Sequence, residues 1–276
     1  MKTLFAITLA VLTFVSCTSQ QPSKDVEKKN KLILYYSQTG ATKTVAEEIK
    51  NQLEADIEAI EVETAYDGDF NQTIERCQKE MASGETPALK PIKANIADYD
   101  TIFIGYPIWF GTYAMPIAAL VKAEQFEGKT IVPFCTFGSG GLQSSTNDLK
   151  TALPKANIVE GYGVRGIRLD AVPDEVNRFL IEWGHKEGEI EALPAFMEEK
   201  PVTDTEKEIF NQACSDYQFP LGTPVTVATR ETSSSTDYLF TATSKGQQGE
   251  DQTSHIYVTV SKNEPNAKPV FTQVVR

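Results

Sequence analysis

Two rhythms of apolar residues divide the chain. Between Lys31 and about Lys186, short aliphatic runs alternate with stretches whose apolar residues return every three or four positions. Beyond Met197 the spacing shortens to every second position. The first pattern predicts strands alternating with amphipathic helices, and hence a parallel sheet covered on both faces. The second predicts a small antiparallel sheet with one face buried.

Taken in order, strands are expected at 32–36, 57–62, 101–106, 130–135 and 161–164. Helical spacing is expected from Val45 through Leu53, and over 70–82, 116–124, 144–153 and 173–186. A capping box, Thr203 to Glu206, opens a further helix ending near Cys214. Alternating runs then follow at 223–231, 238–243, 256–261 and 270–275.

Three of the connections are unusual. After the first strand comes Ser37-Gln38-Thr39-Gly40-Ala41-Thr42, where hydroxyls, a glycine and the first amides of a helix meet at the positive end of the helix dipole. Such a turn can hold a phosphate without a cation. It is also an ordinary strand-to-helix connection, so the other loops must decide between the two readings. After the third strand comes Pro107-Ile108-Trp109-Phe110-Gly111, and after the fourth Thr136-Phe137-Gly138-Ser139-Gly140-Gly141. In the strand order 2-1-3-4-5 the ends of strands 1, 3 and 4 are neighbours, and ligands bind outside the carboxyl ends at that switch point. All three loops should therefore converge on one crevice.

At this point the segment from Lys31 to about Lys186 resembles flavodoxin. Its Ser-Gln-Thr-Gly-Ala-Thr turn matches that family's phosphate loop for FMN, of the form S/T-x-T-G-x-T. The two later loops are similar to the isoalloxazine loops of a flavodoxin-like subgroup. The resemblance implies a doubly wound five-stranded α/β fold and a non-covalently bound FMN that passes one or two electrons. It also implies roles: Ser37, Thr39, Gly40, Ala41 and Thr42 at the phosphate, Pro107, Ile108, Trp109 and Phe110 along the ring, and Thr136, Phe137, Gly138 and Ser139 along its other edge. Many flavodoxins carry a Tyr where this chain has Phe137, so the ring's stacking partner on that face is open. Trp109 has a second reading as a core side chain, although its expected place in a loop favours the ring.

The N-terminus adds an address. Lys2 followed by an apolar stretch from Leu4 to Val15 is too short to span a bilayer and has the form of a signal peptide. It closes on Ser16-Cys17, which resembles the lipobox of bacterial lipoproteins and implies lipid on Cys17. An ordinary signal peptide in which Cys17 plays no part is the alternative. The expected organisation is a signal at 1–16, a flexible polar tether at 17–30, a flavodoxin-like domain at 31–196 and a small α+β domain at 197–276 that resembles cystatin-like folds. Location then points to an exported, membrane-tethered protein that exchanges electrons with a redox partner protein or a quinone. A quinone or nitro-compound reductase, and a lipoprotein that keeps the fold without flavin, are the alternatives.

Composition removes other classes. With 38 acidic against 26 basic side chains the net charge is -12, which opposes binding to nucleic-acid phosphates. Cys77, Cys135 and Cys214 lack CxxC spacing, so neither a disulfide framework nor a zinc site is expected. His185 and His255 have no motif around them and are expected at the surface. No metal and no hydrolytic triad follow from these residues.

Overall fold

Successive side chains of the first strand point to opposite faces, and both sets are apolar. Leu32, Leu34 and Tyr36 pack with Ile102, Ile104 and Tyr106 on one face, while Ile33 and Tyr35 pack with Phe103, Val132 and Phe134 on the other. A sheet buried on both sides in this way must be sandwiched between helices. Each fully buried side chain of this kind contributes about 1.5–3 kcal/mol.

The computed structural model describes residues 31–66, 70–246 and 249–276. The signal, the tether and Cys17 lie outside the described residues. In chain order the elements are β1 (Lys31–Tyr35), α1 (Ala41–Gln52), β2 (Asp56–Ala59), α2 (Phe70–Ser83), β3 (Thr101–Trp109), β4 (Thr112–Tyr113), α3 (Met115–Ala123), β5 (Thr130–Phe137), α4 (Leu142–Ala152), β6 (Asn157–Ile158), β7 (Tyr162–Arg165) and α5 (Val172–Glu182). A second set follows: β8 (Lys200–Pro201), α6 (Asp204–Ala213), β9 (Thr223–Glu231), β10 (Ser235–Lys245), β11 (Asp251–Ser261) and β12 (Val270–Val275).

The first sheet runs β2-β1-β3-β5, with both β6 and β7 parallel to the outer edge of β5. This is the expected 2-1-3-4-5 order with its fifth strand in two pieces. The break has a cause. Ile131 accepts from Val159 on that edge, and two residues on Pro133 occupies the same side without an amide to donate. Helices α1 and α5 cover one face, and α2, α3 and α4 the other.

Two expectations about the first domain change. The third strand does not stop at Tyr106 but runs to Trp109 and turns back as β4, with Trp109 paired to Thr112. Phe110 (φ 52) and Gly111 (φ 82) form the two-residue turn, the left-handed pair that matches strand twist. Trp109 is thus the last residue of a strand rather than a loop residue. His185 is also not a surface side chain: it packs edge-on against Phe103 at 5.2 Å and lies against Phe179. Burial holds its pKa below the usual imidazole value. His255 is exposed, as expected.

The second sheet is antiparallel in the order β12-β11-β10-β9-β8. Helix α6 packs Phe210 and Ala213 on the face formed by Val227, Phe240, Ile256 and Phe271. The capping box is present: Thr203 Oγ1 accepts from the Glu206 amide at 3.4 Å, and Glu206 Oε2 accepts from the Thr203 amide at 2.8 Å. Among the described residues, no helix is long and apolar enough to cross a membrane.

Candidate functional site

The turn after β1 is held by its own first residue. Ser37 Oγ accepts from the amides of Gly40 at 3.1 Å and Lys43 at 3.2 Å, which pulls the chain round into α1 and leaves the hydroxyl proton free to donate. Gly40 adopts φ +96, and a Cβ there would meet nothing within 4 Å, so backbone conformation rather than crowding calls for glycine. The amides of Ala41 and Thr42 belong to the first helical turn and donate to no group among the described residues. They are anion donors in waiting. The lysine of the turn, Lys43, is exposed and pairs with Glu47 at 3.6 Å, so its side chain is not tied into the turn's hydrogen bonds.

Behind the turn, Thr42 and Thr136 join through their hydroxyls at 2.8 Å, both nearly fully buried. That bond ties the first connection to the end of β5. Beside it, Tyr36, Tyr66 and Trp109 form an aromatic cluster, with Trp109 edge-on to Tyr36 at 5.7 Å and to Tyr66 at 5.1 Å. Gln38 fastens the cluster by accepting from the Tyr36 hydroxyl and donating to the Tyr66 carbonyl. Burial pushes the Tyr36 phenol up to about 12, so it stays protonated and can act as a donor.

The loops converge on one crevice of about 1660 Å³. Thr39 and Ala41 line it from the first turn, Pro107, Ile108 and Phe110 from the hairpin, and Thr136, Phe137, Gly138 and Ser139 from the loop after β5. The remaining predicted residues sit elsewhere. Ser37 and Gly40 line an adjoining hollow of about 740 Å³ with Tyr36 and Tyr66. Thr42 is buried beneath the turn, and Trp109 packs into the aromatic cluster instead of the crevice wall. Phe110, half exposed on its strained turn, is the aromatic that the hairpin presents to the crevice.

Sequence reading missed a third party to this site. The small domain supplies Asp216 to Phe219 and Gln273 to Arg276 as crevice wall. It is held there by Arg165 at the end of β7, a residue only 4% exposed. Arg165 Nε donates to the Gly138 carbonyl at 2.8 Å, one terminal nitrogen donates to the Phe271 carbonyl at 3.1 Å, and the other pairs with Asp216 at 3.1 Å. The Val274 amide of β12 donates to the Ser139 carbonyl at 2.7 Å. A charged residue closing an apolar strand was the one available hint of Arg165.

The thiols offer no chemistry to the site. Cys135 is fully buried, and burial pushes the Cys77 thiol up to about 11 and that of Cys214 up to about 12. Among the described residues, no group of three or more histidine, cysteine or carboxylate side chains could hold a metal ion. What the site does offer is free helix-start amides and hydroxyls at the turn after β1, apolar side chains at Pro107, Ile108 and Phe110, and a glycine-rich backbone edge from Gly138 to Gly141. Those features fit a flat heteroaromatic ring carrying a phosphate.

A family model described as Flavodoxin matches residues 30–178. Among solved structures, a candidate flavoprotein from Bacteroides eggerthii is 32% identical, with 52% of this chain and 96% of that one covered and a TM-score of 0.46. Another from Bacteroides uniformis is 29% identical, covering 54% and 98% with a TM-score of 0.49. A flavoprotein from Lactobacillus acidophilus, solved in complex with FMN, is 24% identical and covers 54% and 99% with a TM-score of 0.45. No curated relative matches the chain.

Proposed function

The chain belongs to the flavodoxin family, and from that premise we propose that its crevice binds FMN and that the protein transfers electrons. The observation that carries this reading is the meeting of three separate connections, after β1, β3 and β5, in one crevice lined by residues of all three. FMN supplies the electron chemistry when bound; the protein's part is to hold and orient it. Ala41 and Thr42 donate their amides to the phosphate, with Ser37 and Thr39 adding hydroxyl donors. Pro107, Ile108 and Phe110 take the apolar ring, and Gly138 and Ser139 bring backbone to its polar edge.

Export and attachment complete the proposal. The apolar stretch ending at Cys17 directs the chain out of the cytoplasm, and lipid on Cys17 tethers it to a bacterial membrane facing the periplasm or exterior. Nicotinamide cofactors are scarce there, which favours an electron carrier over a dedicated reductase. A second reading has one observation in its favour: the small domain walls the crevice with Phe219 and Arg276. That wall suits a small diffusible acceptor such as a quinone or nitro compound better than a docked protein.

The test is the visible spectrum of the purified chain before and after incubation with FMN. Flavin bands are expected, and they should fade in Thr39→Ala. A chain that takes up no FMN even at high concentration overturns the proposal. Turnover of a soluble quinone by the FMN-loaded protein would favour the second reading over the carrier. For the anchor, Cys17→Ser should move the protein from the membrane fraction to the soluble one, and retention in the membrane overturns lipidation.

A further inference from the structure

Two consecutive carbonyls of the loop after β5 are engaged by residues on the small-domain side of the crevice wall. Gly138 accepts from Arg165, and Ser139 accepts from Val274 of the small domain. In a trans peptide the carbonyl and the following amide lie in one plane and point opposite ways. Tying back those two carbonyls therefore turns the amides of Ser139 and Gly140 in the opposite direction. Neither amide donates to any group among the described residues. Gly140 also approaches the small domain so closely that a Cβ would lie 2.2 Å from the Val274 carbonyl oxygen.

We propose that the small domain is a working part of the cofactor site: through Arg165 and Val274 it fixes two peptide planes so that consecutive amides, Ser139 and Gly140, are presented as a donor pair to the acceptor atoms of the FMN ring. The inference rests on the FMN reading above. Arg165, which also lines the crevice, acts here as a positioning residue through its bond to the Gly138 carbonyl. Its grip also explains why a cationic side chain is buried here: it satisfies carbonyls from two domains at once and lies over the Phe271 ring at 4.3 Å. Donors aimed at the ring favour the form carrying more negative charge, so docking of the small domain should raise the flavin's potential.

The experiment uses the full chain with Val274→Pro and Arg165→Lys. Strand β12 is an edge strand, where proline is tolerated, and the lost amide is the one given to Ser139. Lysine keeps the charge but not the fork that reaches two carbonyls and a carboxylate. Asp216→Asn, at a partly exposed partner, is the milder third variant in case either of the others fails to fold. FMN affinity is read by fluorescence quenching, the two-electron potential by redox titration, and folding by thermal melts. For the first two variants, oxidised FMN should bind about tenfold more weakly. Reduced FMN should lose a further factor of about ten, which lowers the potential by about 30 mV. Folded variants with wild-type affinity and potential overturn this inference and leave the proposed function standing. A wild-type chain without FMN uptake overturns both.

Discussion

At the turn after β1 the donors come from one short stretch, Ser37 to Lys43, held by a hydroxyl of that same stretch. At the Gly138 end the wall is assembled from the loop after β5, from Arg165 and from a strand of another domain whose contact residue lies 106 positions from that arginine. The first arrangement is a local property of strand, turn and helix. The second exists only when two domains dock. Substitutions at the two ends should therefore fail in different ways: locally at the turn, and through the interface at the loop.

The sharpest break in that contrast is Gly140→Ala. Its Cβ would meet the Val274 carbonyl oxygen, so the domains must separate or the loop must shift, at an expected cost of about 3 kcal/mol in urea unfolding. Gly138→Ala, two residues away with nothing within 4 Å, should stay within about 0.5 kcal/mol of wild type. Equal effects of the two would show that the interface is not what the loop depends on. Thr42→Val joins the two ends in one test. It leaves the buried Thr136 hydroxyl without its partner, and about 1–2 kcal/mol should be lost in the same measurement.

Lys43→Ala sharpens the other side. The turn's hydrogen bonds come from amides and a hydroxyl, and the Lys43–Glu47 pair is exposed, so FMN affinity measured by fluorescence quenching should change by less than about twofold. A larger loss would make the lysine part of the phosphate site. The smallest effect is expected away from both ends, at His185. Its pKa is lowered in the folded chain by burial, so the unfolded chain takes up a proton first as pH falls. Stability should be full above the unfolded value of about 6.5 and should decline as pH drops below it. Chemical denaturation of wild type and His185→Phe between neutral and mildly acid pH should show the decline only in the former.

Much of this was legible from the sequence because it is local. The turn after β1, the capping box at Thr203 and the runs that became β9 and β12 each carry their pattern within a few residues. Convergence of the three loops also followed, from the handedness and order of a parallel sheet. What the sequence hid was set by distant partners. Pro107 argued for a loop, yet β3 continues through it because the hairpin pairs Ile108 with Tyr113 and Trp109 with Thr112. That pairing turns Trp109 toward Tyr36 and Tyr66 and leaves Phe110 at the crevice. His185 follows α5 in a stretch with no apolar periodicity, and only the tertiary fold lays it on Phe103. The bond between Val274 and Ser139 has no periodicity to announce it.

The amide of Val274 also has a consequence in time. Ribosomes deliver the Gly138 loop and Arg165 long before β12, so for much of synthesis the loop has no strand to lean on. The turn after β1 is then complete while one wall of the crevice is still missing. A nascent or clipped chain that lacks β12 therefore keeps the turn after β1 but leaves the Ser139 carbonyl without the amide it accepts from in the full chain.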